Sequence, residues 1–265
     1  MAILADIHGN LQALEAVLEH VAGQEVDQII VAGDVVNVFP EAKACWDLVM
    51  SLDCPVLLGN HEVYVSHYGT PEAEPVWASE RFKLLEWMQA QFSPQDLEAM
   101  RHLPLTYQLP GLLITHAAPR DPFASIHDTT PLDKVQAMFE GYTEALIVRG
   151  HNHRWRETEL PGQTVVTIGS VGMPLEGRRE AQYALLSNDS GTWTYRPQAV
   201  SYDVEALIEQ VDSDSYRAIA GPIGQIFVRE LETARPHILA FFERYLEAIE
   251  REDITLEAAV TAYLA

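Results

Sequence analysis

Short, near-continuous apolar runs recur along the chain: Ile3-Leu4-Ala5, Ile29-Ile30-Val31-Ala32, Val56-Leu57-Leu58, Leu112-Leu113-Ile114 and Ala145-Leu146-Ile147-Val148. Such runs, rich in branched residues and without polar alternation, predict strands buried on both faces. Between the first two, Leu11, Leu14, Val17, Leu18 and Val21 keep helical spacing, with Asn10 placed as N-cap and Gly23 just past the end. A β-α-β unit follows. A second unit runs through a helix near Glu41 to Leu52, and a longer helical insertion spans roughly Glu72 to Arg101, its second half opened by Pro94. Val165-Val166-Thr167-Ile168, Tyr183-Ala184-Leu185-Leu186 and Thr192-Trp193-Thr194-Tyr195 read as further strands separated by turn residues. From Asp203 onward the pattern is helical, including Val228 to Glu250. The expected organisation is one main domain over residues 1–200 and a C-terminal helical appendage over 201–265. The appendage packs on that domain through a face formed by Ile238, Phe241, Phe242, Tyr245 and Ile249.

Composition narrows the classes. The 265 residues are 48% hydrophobic and 21% charged, with 15 Gly and 15 Pro, which suits a folded chain rather than a disordered one. No apolar run is long enough to span a membrane, and the opening MAILADIHGN lacks the basic start and apolar stretch of a secretory signal. Cys45 and Cys54 are too few for a disulfide framework and form no CxxC pattern, so a reducing cytoplasm is the expected setting. Acidic residues outnumber basic ones 39 to 17, and a formal charge of -22 repels a polyanion such as duplex nucleic acid. Many of these acids, as between Glu230 and Glu252, read as the solvated face of a helix. Others stand where strands end.

Polar residues able to bind metal follow directly after five apolar runs: Asp6 and His8, Asp34, Asn60 and His61, His116, then His151 and His153. In α/β sheets ligands bind beyond the carboxyl ends of strands, so residues spread over nearly 150 positions can converge there. Singly each is weak, because a Gly-Asp is usually a turn and a histidine after a strand is usually a hydrogen-bonded core residue. Their common position and order carry the signal. If the backbone stays extended, the alternation in Asp6-Ile7-His8 and His151-Asn152-His153 turns like-facing ligands to one side. Imidazole, carboxylate and amide oxygen without thiolate favour manganese, iron or zinc over a calcium-type site.

The order D6-I7-H8, G33-D34, G59-N60-H61-E62, H116 and G150-H151-N152-H153 resembles the calcineurin-like metallophosphoesterase superfamily. It is most similar to the small bacterial phosphodiesterase-like branch, whose opening block reads Asp-x-His-Gly-Asn. His116-Ala117-Ala118-Pro119-Arg120-Asp121-Pro122 and Gly169-Ser170-Val171-Gly172 share that likeness, which covers roughly residues 1–200. The resemblance implies an α/β fold, a four-layer αββα sandwich of two mixed β-sheets flanked by helices. It also implies two divalent metal ions per chain, manganese first and iron or zinc next. Asp6, His8 and His153 would complete one site and Asn60, His116 and His151 the other, with Asp34 bridging. A hydroxide bridging the two ions would attack phosphorus, and His61 would help protonate the leaving oxygen.

Glu62 either orients His61 or is a plain surface carboxylate. Asn10 caps its helix and, in this branch, lies near enough to contact phosphate. Arg120 is a candidate for binding a substrate oxygen or the tip of a surface turn. His67 and His127 fall in loops that could reach the site's rim, whereas His20, His102 and His237 receive no role. Two departures stand out. Gly33-Asp34-Val35-Val36-Asn37-Val38-Phe39 lacks the arginine that phosphoprotein phosphatases carry after the bridging Asp, and Thr167-Ile168 replaces the branch's usual Asn-Pro. The expected activity is hydrolysis of a small phosphodiester substrate. The alternatives are a phosphomonoesterase or nucleotide pyrophosphatase with the same metals, or a catalytically silent scaffold. A homo-oligomer stays open, and no membrane partner is expected.

Overall fold

A computed structural model describes residues 1–265. In chain order the first half contains β1 (Ala2–Leu4), α1 (Leu11–Ala22), β2 (Ile29–Val31), α2 (Ala42–Ser51), α3 (Asn60–His67), α4 (Leu84–Gln89), α5 (Pro94–Arg101), β3 (Thr106–Leu109) and β4 (Leu112–Thr115). Then come α6 (Leu132–Met138), β5 (Leu146–Arg149), β6 (Arg156–Leu160), β7 (Gln163–Thr167), β8 (Ala181–Asp189) and β9 (Thr192–Val200). The chain closes with α7 (Val204–Val211), α8 (Asp214–Ala220), α9 (Pro222–Thr233), α10 (His237–Glu250) and α11 (Leu256–Leu264).

The strands form a four-stranded sheet ordered β2-β1-β8-β9 and a five-stranded sheet ordered β3-β4-β5-β7-β6. Both are mixed: β1 and β2 run parallel while β8 and β9 run antiparallel, and β4, β5 and β7 run parallel between antiparallel β3 and β6. Alternation along β1 explains the layers. Ile3 and Ala5 join Ile30, Ile114, Val148 and Val166 in a core between the sheets, whereas Ala2 and Leu4 join α1 and α2 on the other side. On the far face of the second sheet, Leu113, Ile147 and Val165 pack against Val135 and Phe139 at α6. The result is the expected four-layer αββα sandwich. Covering both faces is what makes the central strands read as unbroken apolar runs.

Several local expectations change. Val56-Leu57-Leu58 is no full strand, since only Val56 bridges to Val31, but the two segments run parallel and deliver Gly59 and α3 to the same end. The Glu72 to Arg101 insertion breaks into two short 3-10 turns, α4 and α5, with Pro94 opening α5 and Ser93 capping it. Val228 to Glu250 is two helices, because Ala234 adopts a left-handed conformation (φ 49°) and Pro236 precedes α10. Glu230 is not on a solvated face. It is fully buried, and its Oε1 accepts from the Ile238 backbone N–H at 2.8 Å, pinning α10 to α9 across that elbow.

The C-terminal helices share the core that lies outside the first sheet. Leu207, Val211, Tyr216, Ala220, Val228 and Leu231 belong to the same cluster as Trp46 and Leu85. A smaller cluster, including Ile226, Phe241, Leu256 and Val260, holds α9, α10 and α11 together. Of the predicted apolar face, Phe241 is fully buried, and Ile238, Phe242, Tyr245 and Ile249 pack against that smaller cluster. No helix is long and apolar enough to cross a membrane.

Burial raises the Glu230 carboxyl from 4.5 to about 7, so the folded chain keeps a proton that the unfolded chain releases between those values. The associated stability is fully present below pH about 4.5 and is lost as pH rises through about 7. Glu230→Gln should therefore match the wild type at pH 5 and melt above it at pH 8, a differential on the order of 2–3 kcal/mol. Thermal unfolding of both metal-stripped proteins across this range is the test, and parallel pH profiles would contradict it.

Candidate metal centre

The polar residues that follow the apolar runs meet at one end of the two sheets. Asp6 and His8 follow β1, Asp34 follows β2, Asn60 opens α3, His116 follows β4, and His151 and His153 follow β5. Ligand atoms of Asp6, His8, Asp34 and His153 all lie within 4.8 Å of one another, as do those of Asp34, His116 and His151. Asp34 belongs to both groups. Asn60 Oδ1 adds an oxygen at 3.0 Å from His116 Nε2 and 2.9 Å from His151 Nδ1. All seven residues predicted as ligands are thus together.

Extended alternation is not what aims them. Asp6, His8, Asp34, His151 and His153 all have φ between 54° and 74°, so each pair turns through left-handed conformations that strongly disfavour non-glycine residues. Hydrogen bonds from the backbone hold these turns: His8 N–H donates to the Asp34 carbonyl at 3.0 Å, and His151 N–H donates to the Asp6 side-chain Oδ2 at 3.0 Å. Gly33 (φ 86°) is demanded twice over, because a Cβ there would sit 2.8 Å from Gly59 Cα and 2.9 Å from His116 Nδ1.

Glu62, one residue beyond His61, is the main brace and does not touch its neighbour's ring. Fully buried, its carboxylate accepts from the backbone N–H of Asp34 (2.8 Å), Val35 (2.7 Å), Val36 (3.2 Å) and Gly59 (2.9 Å). The surface reading of Glu62 is therefore corrected: it holds the Asp34 loop to the start of α3. Burial, then the Asp34 charge, raise its pKa, while the backbone donors favour the ionised form. Asn37 orients His61 instead. Its Nδ2 lies 2.8 Å from His61 Nδ1, which leaves the neutral ring's proton on Nε2, the nitrogen 4.0 Å from Asp34 Oδ2. His61 N–H also donates to Asp34 Oδ1 at 2.8 Å.

Each remaining imidazole has one nitrogen facing the cluster. His116 Nδ1 pairs with Ala32 O at 2.9 Å and His153 Nδ1 with Met173 O at 2.8 Å, which leaves both Nε2 atoms inward. Ser125 Oγ meets His151 Nε2 at 2.9 Å and frees Nδ1. His8 Nε2 faces His153 Nε2 at 2.9 Å, and its buried Nδ1 has no partner. These arrangements fit divalent cations, with imidazole nitrogens held by outer hydrogen bonds and hard oxygens shared between them.

The electrostatics point the same way. Burial lowers the pKa values of His8 and His151, and neighbouring imidazoles lower them further. Burial works against a proton on His116 as well, yet the Asp34 carboxylate pushes it up to about 9, and Asp6 likewise raises His153. Asp34 resists burial and drops well below the usual carboxylate range beside His116 and His61. The Asp34 and Asp6 carboxylates favour positive charge at His116 and His153, while burial opposes it at His8 and His151.

The other candidates separate. Asn10 is fully buried and caps α1 through Ala13 N–H, while its Nδ2 donates to Gly172 O at 2.8 Å and Tyr202 Oη at 3.1 Å. Its amide is committed to structure, so it braces the loops around the cluster. Arg120 is exposed: its Nη1 donates to Glu140 O at 3.0 Å and its guanidinium stacks over Tyr142, away from the cluster's lining. It stands in the surface turn between Ala118 and Asp121. His127 does line the cavity above the cluster, whereas His67 turns back to Val63 O. Arg149, fully buried, bonds Ala117 O, Ala124 O, Asn152 Oδ1 and Thr167 Oγ1 and ties the His116 loop to the His151 loop. Its place among the apolar residues of β5 gave a sequence-level hint.

A layered phosphoesterase-like sandwich with a two-group polar centre is thus defined. The calcineurin-like phosphoesterase superfamily domain matches residues 1–191, and the chain belongs to that superfamily. An uncharacterized protein of Methanocaldococcus jannaschii is 25% identical over 232 residues, covering 80% of this chain and 91% of that relative. The crystal structure of a metallophosphoesterase from Sphaerobacter thermophilus superposes with a TM-score of 0.69 at 24% identity, covering 88% of this chain and 98% of that one. A hypothetical protein from Pyrococcus horikoshii gives 0.66 at 18% identity over 86% and 96%. These structures share the fold, and the Sphaerobacter likeness runs past residue 191 into the C-terminal helices.

Glu62→Ala should lower manganese affinity about 10- to 100-fold, as loss of a support behind a ligand does, and destabilise the fold by roughly 2–4 kcal/mol through four orphaned N–H groups. Metal titration and denaturant unfolding of the variant would read both. Wild-type affinity and stability together would show that Glu62 is no brace.

Proposed function

We propose that the chain is a metal-dependent phosphodiesterase with two divalent ions, manganese first, held at a shared Asp34. The observation that carries this reading is the membership of Asp34 in both candidate ligand groups. Asp6, His8, Asp34 and His153 would hold one ion, and Asp34, Asn60, His116 and His151 the other. Bound there, the ions would neutralise phosphoryl charge and acidify a water for attack on phosphorus.

The chain's own groups supply the rest. His61 borders the cluster and lines the cavity, and Asn37 aims its Nε2 toward Asp34. As water adds to phosphorus and the bond to the leaving oxygen breaks, His61 delivers a proton to that oxygen. Burial, and then the neighbouring imidazoles, hold its pKa below 6.5 against the pull of Asp34, which makes the protonated ring a stronger acid. Glu62 and Gly59 keep Asp34 and α3 in register so that ligand and proton donor stay at fixed separation.

A diester suits this pocket better than a phosphoprotein or a dianionic monoester. No arginine follows Asp34, Arg120 points elsewhere, and the -22 charge opposes highly charged substrates outside the metal centre. A diester carries a single negative charge. An intact ligand set also weighs against the silent scaffold, since a chain without metal chemistry has no need of this buried cluster.

Asp34→Asn should lose tight binding of at least one ion and nearly all hydrolysis, because a neutral amide bridges dications poorly; two retained ions with normal turnover would remove the bridge. His61→Ala should keep both ions and slow turnover on poor leaving groups by about a hundredfold or more, with a smaller loss for nitrophenolate. Equal losses for both would argue against proton donation. Paired aryl diester and monoester assays of the manganese-loaded protein test the substrate class, and a monoester preference across pH would overturn it.

A further inference from the structure

Above the metal centre lies a cavity of about 360 Å³, whose floor carries Asn60, His61, His151 and His153. Its walls come from outside the two sheets. Phe82 and Leu85 reach in from the insertion, and Ile223, Phe227, Leu239 and Phe242 from the C-terminal helices. Most lining residues are hydrophobic, although the chain as a whole carries a formal charge of -22. Leu239 is 56% exposed, one of few large apolar side chains left so open, and it stands on the cavity wall. Another, Phe123, packs on Tyr64, itself a lining residue edge-on to His61. Apolar surface kept in water beside a polar floor marks a binding site more often than a packing defect.

The charged groups restrict what enters. Arg81 is the one lysine or arginine in the lining, and it lies over the Phe242 ring and 3.5 Å from Glu250, so its charge is largely answered. A polyphosphate chain would need several free cations above the floor, and the walls supply none. A volume near the lower end of ordinary ligand pockets leaves room for one compact substituent beyond the phosphate rather than two long chains.

We propose that this cavity selects monoanionic phosphodiesters bearing one bulky apolar arm, of hexyl or phenyl size, seated against Phe242, Leu239 and Ile223. The inference rests on the phosphoesterase reading for the floor, while the walls carry the selectivity. In this arrangement the C-terminal helices and the insertion act as specificity elements. Apolar contact also offsets the repulsion that the chain's net negative charge exerts on any anion. Contacts made equally in the ground and transition states lower KM and leave kcat nearly unchanged.

The test is a series of 2,2,2-trifluoroethyl diesters with methyl, butyl, hexyl and benzyl second arms, assayed by trifluoroethanol release on the manganese-loaded full chain, so that the shared leaving arm is too small to fill the cavity. Burial at ~0.8 kcal/mol per methylene corresponds to about fourfold each, so partial burial of a hexyl arm should raise kcat/KM at least about tenfold over methyl, mainly through KM. Phe242→Ser and the exposed-site variant Leu239→Ser should flatten that rise. Independently, the monomethyl ester of hexylphosphonate should bind about tenfold tighter than that of methylphosphonate. Equal affinities, or rates that stay level or fall with arm size in the wild type, would overturn the apolar arm. Hydrolysis of none of the esters would instead defeat the phosphoesterase reading, and the phosphonate pair would then decide the apolar preference by itself.

Discussion

Asp6, His8, Asp34, His116 and His153 are forced together almost out of contact with water, and the fold is organised around making that tolerable. Carboxylates and imidazoles so close cannot all keep their ordinary charge states, and desolvation alone costs several kcal/mol per ion when no partner compensates. Without cations the imidazoles are pulled in opposite directions: the Asp34 carboxylate raises His116, while burial and the neighbouring imidazoles lower His8. With cations, the inward nitrogens and carboxylate oxygens acquire the partners that their positions call for. Everything near the cluster serves to keep the ligands from relaxing apart: left-handed turns at five ligand positions, a glycine at 33 with no room for a Cβ, and Glu62 accepting four backbone N–H groups.

That rigidity reaches beyond the sandwich. Tyr216 of α8 donates its hydroxyl to Val38 O at 2.6 Å, next to the Asn37 that orients His61, and the Tyr202 hydroxyl meets Asn10 at the start of α1. The C-terminal helices thus brace the loops on which the site is built and also wall the cavity over it. One set of helices serves both positioning and enclosure. This coupling explains why their apolar residues merge with the core outside the first sheet instead of forming a separate body.

Much of this was legible along the chain because the physics that buries a strand on both faces writes a continuous apolar run, and each ligand stands just after one. The edge strands of the second sheet were not legible: β3 and β6 are short, partly exposed and polar, as in Arg156-Glu157-Thr158-Glu159-Leu160. Left-handed turns at Asp6 and His153 leave no trace in residue type, since the strain is held by hydrogen bonds to distant segments. Glu62, Asn37, Ser125 and Tyr216 act across long sequence separations, and only the assembled layers bring them to their partners. Glu230 misled because a helical acid ordinarily faces water, and only the elbow at Ala234 turns it inward to cap α10.

The proposed chemistry requires one carboxylate, Asp34, to serve two ions. Stepwise addition of Mn²⁺ to metal-stripped protein, followed by electron paramagnetic resonance, reads both the number of ions and their coupling. Two ions per chain with an exchange-coupled signal at saturation is the predicted result. Saturation at one ion, or two ions whose signals remain those of isolated centres, would contradict a shared Asp34.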